Sequence, residues 1–195
     1  MLRDLQGSGQ QIADCDTLVV GGGTCGLAIA AKLARKGLRA ICIESGGISQ
    51  DKEEHPLNEV VHLRSAYGGA AHGRFRCLGG TSTRWGGALI PFQPGDLDHA
   101  GWPITHAEIM HYLPEAENLF GLPPGSYELE HLLGNANHVA RLAKWPPFAK
   151  RNVAKLVDAD IKSCAGPQVW LNATATKFSI AQQRLTAVVA QAPDG

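Results

Sequence analysis

Residues 16–44 read DTLVVGGGTCGLAIAAKLARKGLRAICIE, and this stretch decides the fold. A short apolar run, Thr17 to Val20, leads into a glycine-rich turn. Thr24 to Lys36 carry Ala, Leu and Ile with no breaker after Gly26, and Lys32, Arg35 and Lys36 sit where cations suit a helix C-terminus. Gly37 can end that helix, and Arg39 to Ile43 form a second apolar run that stops at Glu44. The pattern is strand, turn, helix, strand. The first strand has the continuous apolar character of one buried on both faces of a parallel sheet.

Gly21, Gly23 and Gly26 occupy the three positions of GxGxxG. The first permits a tight turn, the second lets backbone approach a pyrophosphate, and the third lets the helix pack close to the strand. The first helical turn, with Thr24 and Cys25, holds no acidic residue, so its free N–H groups stay available to a phosphate. Glu44 lies 18 residues after Gly26, where a carboxylate can accept hydrogen bonds from ribose hydroxyls and repel a 2′-phosphate. The motif alone does not separate FAD from NAD, since both contain the ADP half.

Composition narrows the class. The 195 residues suffice for a domain with a sizeable core, and 44% hydrophobic with 18% charged residues fits a soluble globular chain. Lys plus Arg equals Asp plus Glu, which removes any whole-chain argument for nucleic acid or an acidic membrane. The five cysteines form no CxxC and read as reduced, mostly buried thiols of a cytoplasmic protein. The histidines form no HExxH or Cys/His array, so no metal site is expected. The N-terminus lacks a signal-like apolar stretch, and no run is long enough to span a membrane.

Along the rest of the chain, residues 1–15 read as a flexible lead-in and 16–195 as one domain. Gly46 to Phe75 is an extended surface excursion. Thr105 and Glu108 match a capping box, and the helix after them carries Pro114, which predicts a kink or split. Helical character recurs around His131 to Leu142. Lys150 to Cys164 is an amphipathic helix with Val153, Leu156, Val157, Ile161 and Cys164 on one face. Strands follow at Gln168 to Leu171, Thr176 to Ala181 and Leu185 to Gln191, the last two as a hairpin. The chain closes on the turn signal Ala-Pro-Asp-Gly, which leads to the expectation of the N-terminal piece of a longer protein.

A second glycine cluster, residues 76–91, reads RCLGGTSTRWGGALIP. Gly79, Gly80, Gly86 and Gly87 bracket Thr81, Ser82, Thr83 and Trp85. Bare backbone, small hydroxyls and one flat ring suit a loop laid along a pyrophosphate and a ribityl chain. Taken together, GGGTCG with Glu44, GGTSTRWGG, GWPI, YLPEAENLFG and Leu171-Asn172-Ala173-Thr174-Ala175 resemble, in order, the N-terminal part of the glucose–methanol–choline (GMC) oxidoreductases. These are FAD-dependent enzymes that oxidise a CH–OH group of a sugar or alcohol.

The resemblance implies roles. Gly21, Gly23 and Gly26, with Thr24 and Cys25, would hold the FAD pyrophosphate, and Glu44 with Ser45 the adenosine ribose. Gly79, Gly80, Thr81 and Ser82 would run beside the phosphates and ribityl chain. Trp85, Gly86, Gly87 and Ala88 would lie near the flavin ring, and Ala175 near adenine. Some family members carry a histidine in this loop that bonds covalently to flavin. Arg84 stands directly before Trp85, and arginine is no flavin nucleophile, so non-covalent FAD is expected. The family's catalytic His and its His or Asn partner would lie beyond Gly195, so no catalytic residue is assigned within the chain. His72, His99, His106 and His111 read as solvated. The implied fold is an α/β, Rossmann-like three-layer FAD-binding domain with a parallel sheet and a β-meander, incomplete at its C-terminal end. Two other readings stand beside it: a non-catalytic FAD-binding module completed by a partner chain, and an NAD-binding reductase domain, which the second loop fits poorly.

Overall fold

A computed structural model describes residues 1–51, 54–98, 101–129 and 140–193. In chain order the elements are β1 (Leu2–Asp4), β2 (Thr17–Val20), α1 (Thr24–Arg35), β3 (Ala40–Ile43), α2 (Gly68–His72), α3 (Pro94–Asp98), α4 (His106–Phe120), α5 (Val153–Leu156), α6 (Asp158–Lys162), β4 (Gln168–Leu171), β5 (Thr174–Ala181) and β6 (Arg184–Gln191). They fall into two compact units, one of Met1–Trp85 with Asn152–Gly195 and the other of Gly86–Arg151.

The first unit is α/β. Its four-stranded sheet runs β1-β4-β3-β2, every pair parallel, and a separate antiparallel hairpin joins β5 to β6. This is the layout of a Rossmann-like fold. Side chains alternate across a strand, so Ile41 and Ile43 share one face of the sheet. They cluster there with Trp170 and Ala173, and hairpin residues Ala175, Val188 and Ala190 pack against them. Helix α1 contacts β2, β3, α5 and α6, burying Leu27, Ala30, Ala31 and Ala34. The near-complete burial of Leu27 contributes roughly 1.5–3 kcal/mol. Small alanines elsewhere on that face let helix and sheet lie close.

Several expectations need correction. Residues 1–15 are not wholly a loose lead-in: β1 pairs with β4 in the register Leu2↔Val169, and Arg3 lies over the Trp170 ring. Two or three alternating residues are too few to signal a strand, and β4 supplies the template. Strand β2 is not buried on both faces; it is the sheet edge, and Val20 is 53% exposed. The C-terminal strands make no three-stranded meander, because β4 joins the parallel sheet and only β5 and β6 pair antiparallel. The helix expected over 150–164 is broken. A 3₁₀ turn at Phe148–Lys150 belongs to the second unit, and α5 and α6 in the first are separated at Val157, whose backbone (φ −102°, ψ 13°) leaves the helical region. The apolar face survives the break as Val153, Val157 and Ile161, all buried, while Cys164 is exposed.

The second unit is built on α4. Thr105 and Glu108 form the expected capping box, and Gly121 ends the helix in the left-handed conformation. Pro114 does not split it: α4 is continuous from His106 to Phe120. Pro114 is exposed, and Met110, whose carbonyl it leaves without an N–H partner, is half-buried. Lys144 is buried, and its ammonium meets Glu117 Oε1 at 2.5 Å, the carbonyls of Pro123 and Gly125 at 2.8 Å each, and the face of Tyr127. The ammonium beside it holds the Glu117 carboxyl below the usual carboxylate range. Burial, and then the Glu117 carboxylate, push the Tyr127 hydroxyl up to about 12. The helix expected around 131–142 falls largely outside the described residues, as does His99. Among the described residues, no helix is long and apolar enough to cross a membrane.

Candidate functional site

The first glycine turn is shaped by three backbone constraints. Gly21 takes φ +102°, a conformation that disfavours any side chain, and its N–H donates to the Ile43 carbonyl at 2.7 Å, extending the β2–β3 ladder. Gly23 is the helix N-cap in extended backbone, with no side-chain cap. A Cβ on Gly26 would stand 1.8 Å from the Gly21 carbonyl oxygen, so only glycine lets α1 start this close to the turn. No acid lies in the first helical turn, and helix geometry leaves its N–H groups without intrahelical acceptors.

Glu44 is 6% exposed at the end of β3. Its Oε2 accepts the Gly22 N–H at 2.7 Å, and its Oε1 accepts the Gly46 N–H at 3.0 Å and the Ser45 hydroxyl at 3.4 Å. The carboxylate therefore pins the glycine turn from behind. A carboxylate has about four lone-pair sites, so capacity remains for hydroxyl donors.

The second glycine loop docks on the first, backbone to backbone. The Gly79 N–H donates to the Gly22 carbonyl at 2.8 Å, and a Cβ on Gly80 would lie 2.9 Å from the Gly23 Cα. Both glycines hold positive φ, and Gly80–Thr83 then form a 3₁₀ turn. Ser82 is buried, its hydroxyl donating to the Gly79 carbonyl at 2.6 Å and accepting the Val153 N–H at 3.1 Å, so it ties the loop to α5.

These pieces enclose a groove of about 620 Å³ in the first unit. Of the residues assigned from sequence, Gly21, Gly23, Thr24, Cys25, Glu44, Ser45, Gly80, Thr81 and Ala175 line it. Gly26, Gly79 and Ser82 are not among its lining residues, nor is the half-buried Trp85. Gly86, Gly87 and Ala88 belong to the second unit, where Gly87 takes φ +87° beside Arg151 and Pro146. Arg84 is exposed and reaches toward Gln50 and the Phe75 ring. The lining also contains Leu57, Arg74, Phe75 and Arg76, which sequence reasoning passed over. The signal for the last three was the Arg-Phe-Arg run directly before the second glycine loop, at the close of a stretch without periodicity.

Open space faces Gly21, and Gly23 has nothing nearer than 4.0 Å where a side chain would stand, so bare backbone is presented. The positive helix end, hydroxyl donors and a carboxylate surround that space. Among the described residues, no histidine lines the groove. His106 Nε2 is 2.9 Å from the Phe92 carbonyl, and His72 and His111 are exposed.

All five cysteines are free thiols, only Cys42 and Cys77 being buried. Burial, then the Glu44 charge, push the Cys42 thiol up to about 12. Thiolate is the reactive form, so Cys42 is expected to resist alkylation at pH 8 while exposed Cys25 and Cys164 react. Cys25 lines the groove, so bound ADP should slow its labelling and leave Cys164 unchanged. Mass mapping of a timed iodoacetamide reaction checks both points, and early modification of Cys42 would contradict them.

No family model matches the chain. Among curated proteins, patulin synthase of Aspergillus clavatus is 34% identical over 95 residues, a match that covers 35% of this chain and 15% of patulin synthase. The chain thus corresponds to a small part of that relative's length.

Proposed function

We propose that the chain binds FAD non-covalently through its ADP half and serves an oxidoreductase of the GMC type that oxidises a CH–OH group of a sugar or alcohol. The observation that carries this reading is the docking of the second glycine loop on the first, with Gly23 and Gly80 in backbone contact beside the start of α1. An NAD-binding turn needs only the first of these loops. Partial likeness to patulin synthase, a GMC-type oxidoreductase, supports the same direction.

In this reading the first-turn N–H groups of α1 and the Gly23 backbone hold the diphosphate. Glu44 accepts the ribose hydroxyls, and Thr81 donates along the chain beyond them. Ala173–Ala175 border the base. Bound flavin would supply the hydride-accepting chemistry, while these residues bind and orient it. Trp85, Gly86, Gly87 and Ala88 retain their proposed place near the flavin ring. A base for the substrate hydroxyl would come from further sequence or a partner chain. A small sugar or alcohol substrate and a cytoplasmic location belong to the same proposal.

Titration of the purified chain with FAD, followed by flavin fluorescence, is expected to show saturable binding. Acid precipitation should release all the flavin to the supernatant. Absence of binding would remove the reading, and flavin retained in the acid pellet would remove its non-covalent part.

A further inference from the structure

Arg76 is half-buried and lines the groove, yet among the described residues no carboxylate pairs with it. Its guanidinium is held instead by three neutral oxygens. Nε donates to Asn58 Oδ1 at 2.9 Å, Nη1 to the Ser45 hydroxyl at 3.1 Å, and Nη2 to the Leu57 carbonyl at 3.0 Å. Guanidinium N–H groups all lie in the plane of the group, so these bonds fix that plane and use three of its five N–H donors. With Nε committed to Asn58, the Nε edge cannot fork onto a phosphate in the bidentate way that makes arginine a strong phosphate ligand. Beyond one remaining N–H on each Nη nitrogen, what these bonds leave open is the flat face, with a full positive charge behind it.

The mount is rigid. Asn58 is 6% exposed, its Nδ2 donates to the Arg74 carbonyl at 2.8 Å, and its own carbonyl accepts Arg74 Nη2 at 2.7 Å. The mount also sets position. Ser45 follows Glu44 at the end of β3, and the Ala173 N–H donates to the Glu44 carbonyl at 2.8 Å. Arg76 therefore stands toward the Ser45 and Ala173–Ala175 side of the groove.

Resting on the dinucleotide reading above, we infer that Arg76 is the base-recognition residue of this groove, its guanidinium face stacking on the purine ring. A charged plane over an electron-rich ring is attractive where water is partly excluded, and arginine does this as lysine cannot. Purines present a larger face than pyrimidines, so the contact would favour adenine over uracil.

The test is calorimetric binding of ADP, UDP and inorganic pyrophosphate to the wild type, Arg76→Lys and Arg76→Gln. Both variants are expected to lose about tenfold in ADP affinity and nothing toward pyrophosphate, and their preference for ADP over UDP should fall toward unity. Each comparison between ligands is made within one protein, so partial unfolding of a variant does not imitate it. Equal losses for ADP and pyrophosphate would make Arg76 a phosphate ligand and overturn the inference, as would unchanged ADP binding. A wild type that binds none of the three would overturn the dinucleotide reading and this inference together; a wild type that binds ADP beside unaltered variants would overturn the inference alone.

Discussion

Gly26→Ala is expected to lower the stability of the first unit by about 3 kcal/mol or more and to abolish flavin binding. The added methyl would sit 1.8 Å from the Gly21 carbonyl oxygen and 3.0 Å from its carbonyl carbon. Both are backbone atoms of a turn locked to β3 through the Gly21 N–H, so no side-chain rotation relieves the overlap. Either α1 moves off the sheet or the turn opens, and both destroy the groove. Gly23→Ala is the control. Gly23 has φ −81°, accessible to alanine, and the nearest atom to its Cβ is the Gly80 Cα at 4.0 Å. It should unfold near the wild-type temperature yet bind flavin poorly, because the methyl would enter the space proposed for the diphosphate. Thermal unfolding beside an FAD titration separates the two glycines; if both variants behaved alike, their assignment to packing and to ligand contact would fail.

Lys144→Met should destabilise the second unit by about 3–5 kcal/mol at pH 7, because it strands the Glu117 carboxylate without its cation. The two charged groups are almost entirely buried, and the carbonyls of Pro123 and Gly125 that also hold the ammonium would lose their donor. The pH dependence tests the cause. Glu117 is held below its usual range in the folded protein, so the pair contributes stability above the unfolded carboxyl value, roughly pH 4.3, and that contribution disappears as pH falls through the lower folded value. In the variant, protonation of Glu117 removes the stranded charge. The gap between wild type and Lys144→Met should therefore shrink from pH 7 toward pH 4. A penalty constant across that range would mean that lost packing, not charge, is responsible.

Glycine spacing made much of the groove legible. Gly21, Gly23 and Gly26 have few structural uses at that interval after an apolar run, and Glu44 is placed by the length of α1 and the return strand. The second loop was readable as a cluster of bare backbone, although its seat on Gly22 and Gly23 was not, because that contact spans 57 positions between Gly22 and Gly79. Strand β1 escaped notice because its partner β4 lies more than 160 residues away in sequence. The break at Val157 was hidden because an apolar face can persist through a change of backbone direction. Asn58 and Arg76 lie in or beside an aperiodic stretch, where hydrogen bonds rather than apolar spacing set the structure.

The central claim is that the groove holds the ADP half of a flavin dinucleotide. The most direct measurement is competition against bound FAD by ADP and by FMN, followed by flavin fluorescence. ADP, proposed to fill the part formed by Gly23, Glu44 and Ala173–Ala175, is expected to displace FAD fully, while FMN at the same concentration leaves it bound. Displacement by FMN but not by ADP would contradict the account.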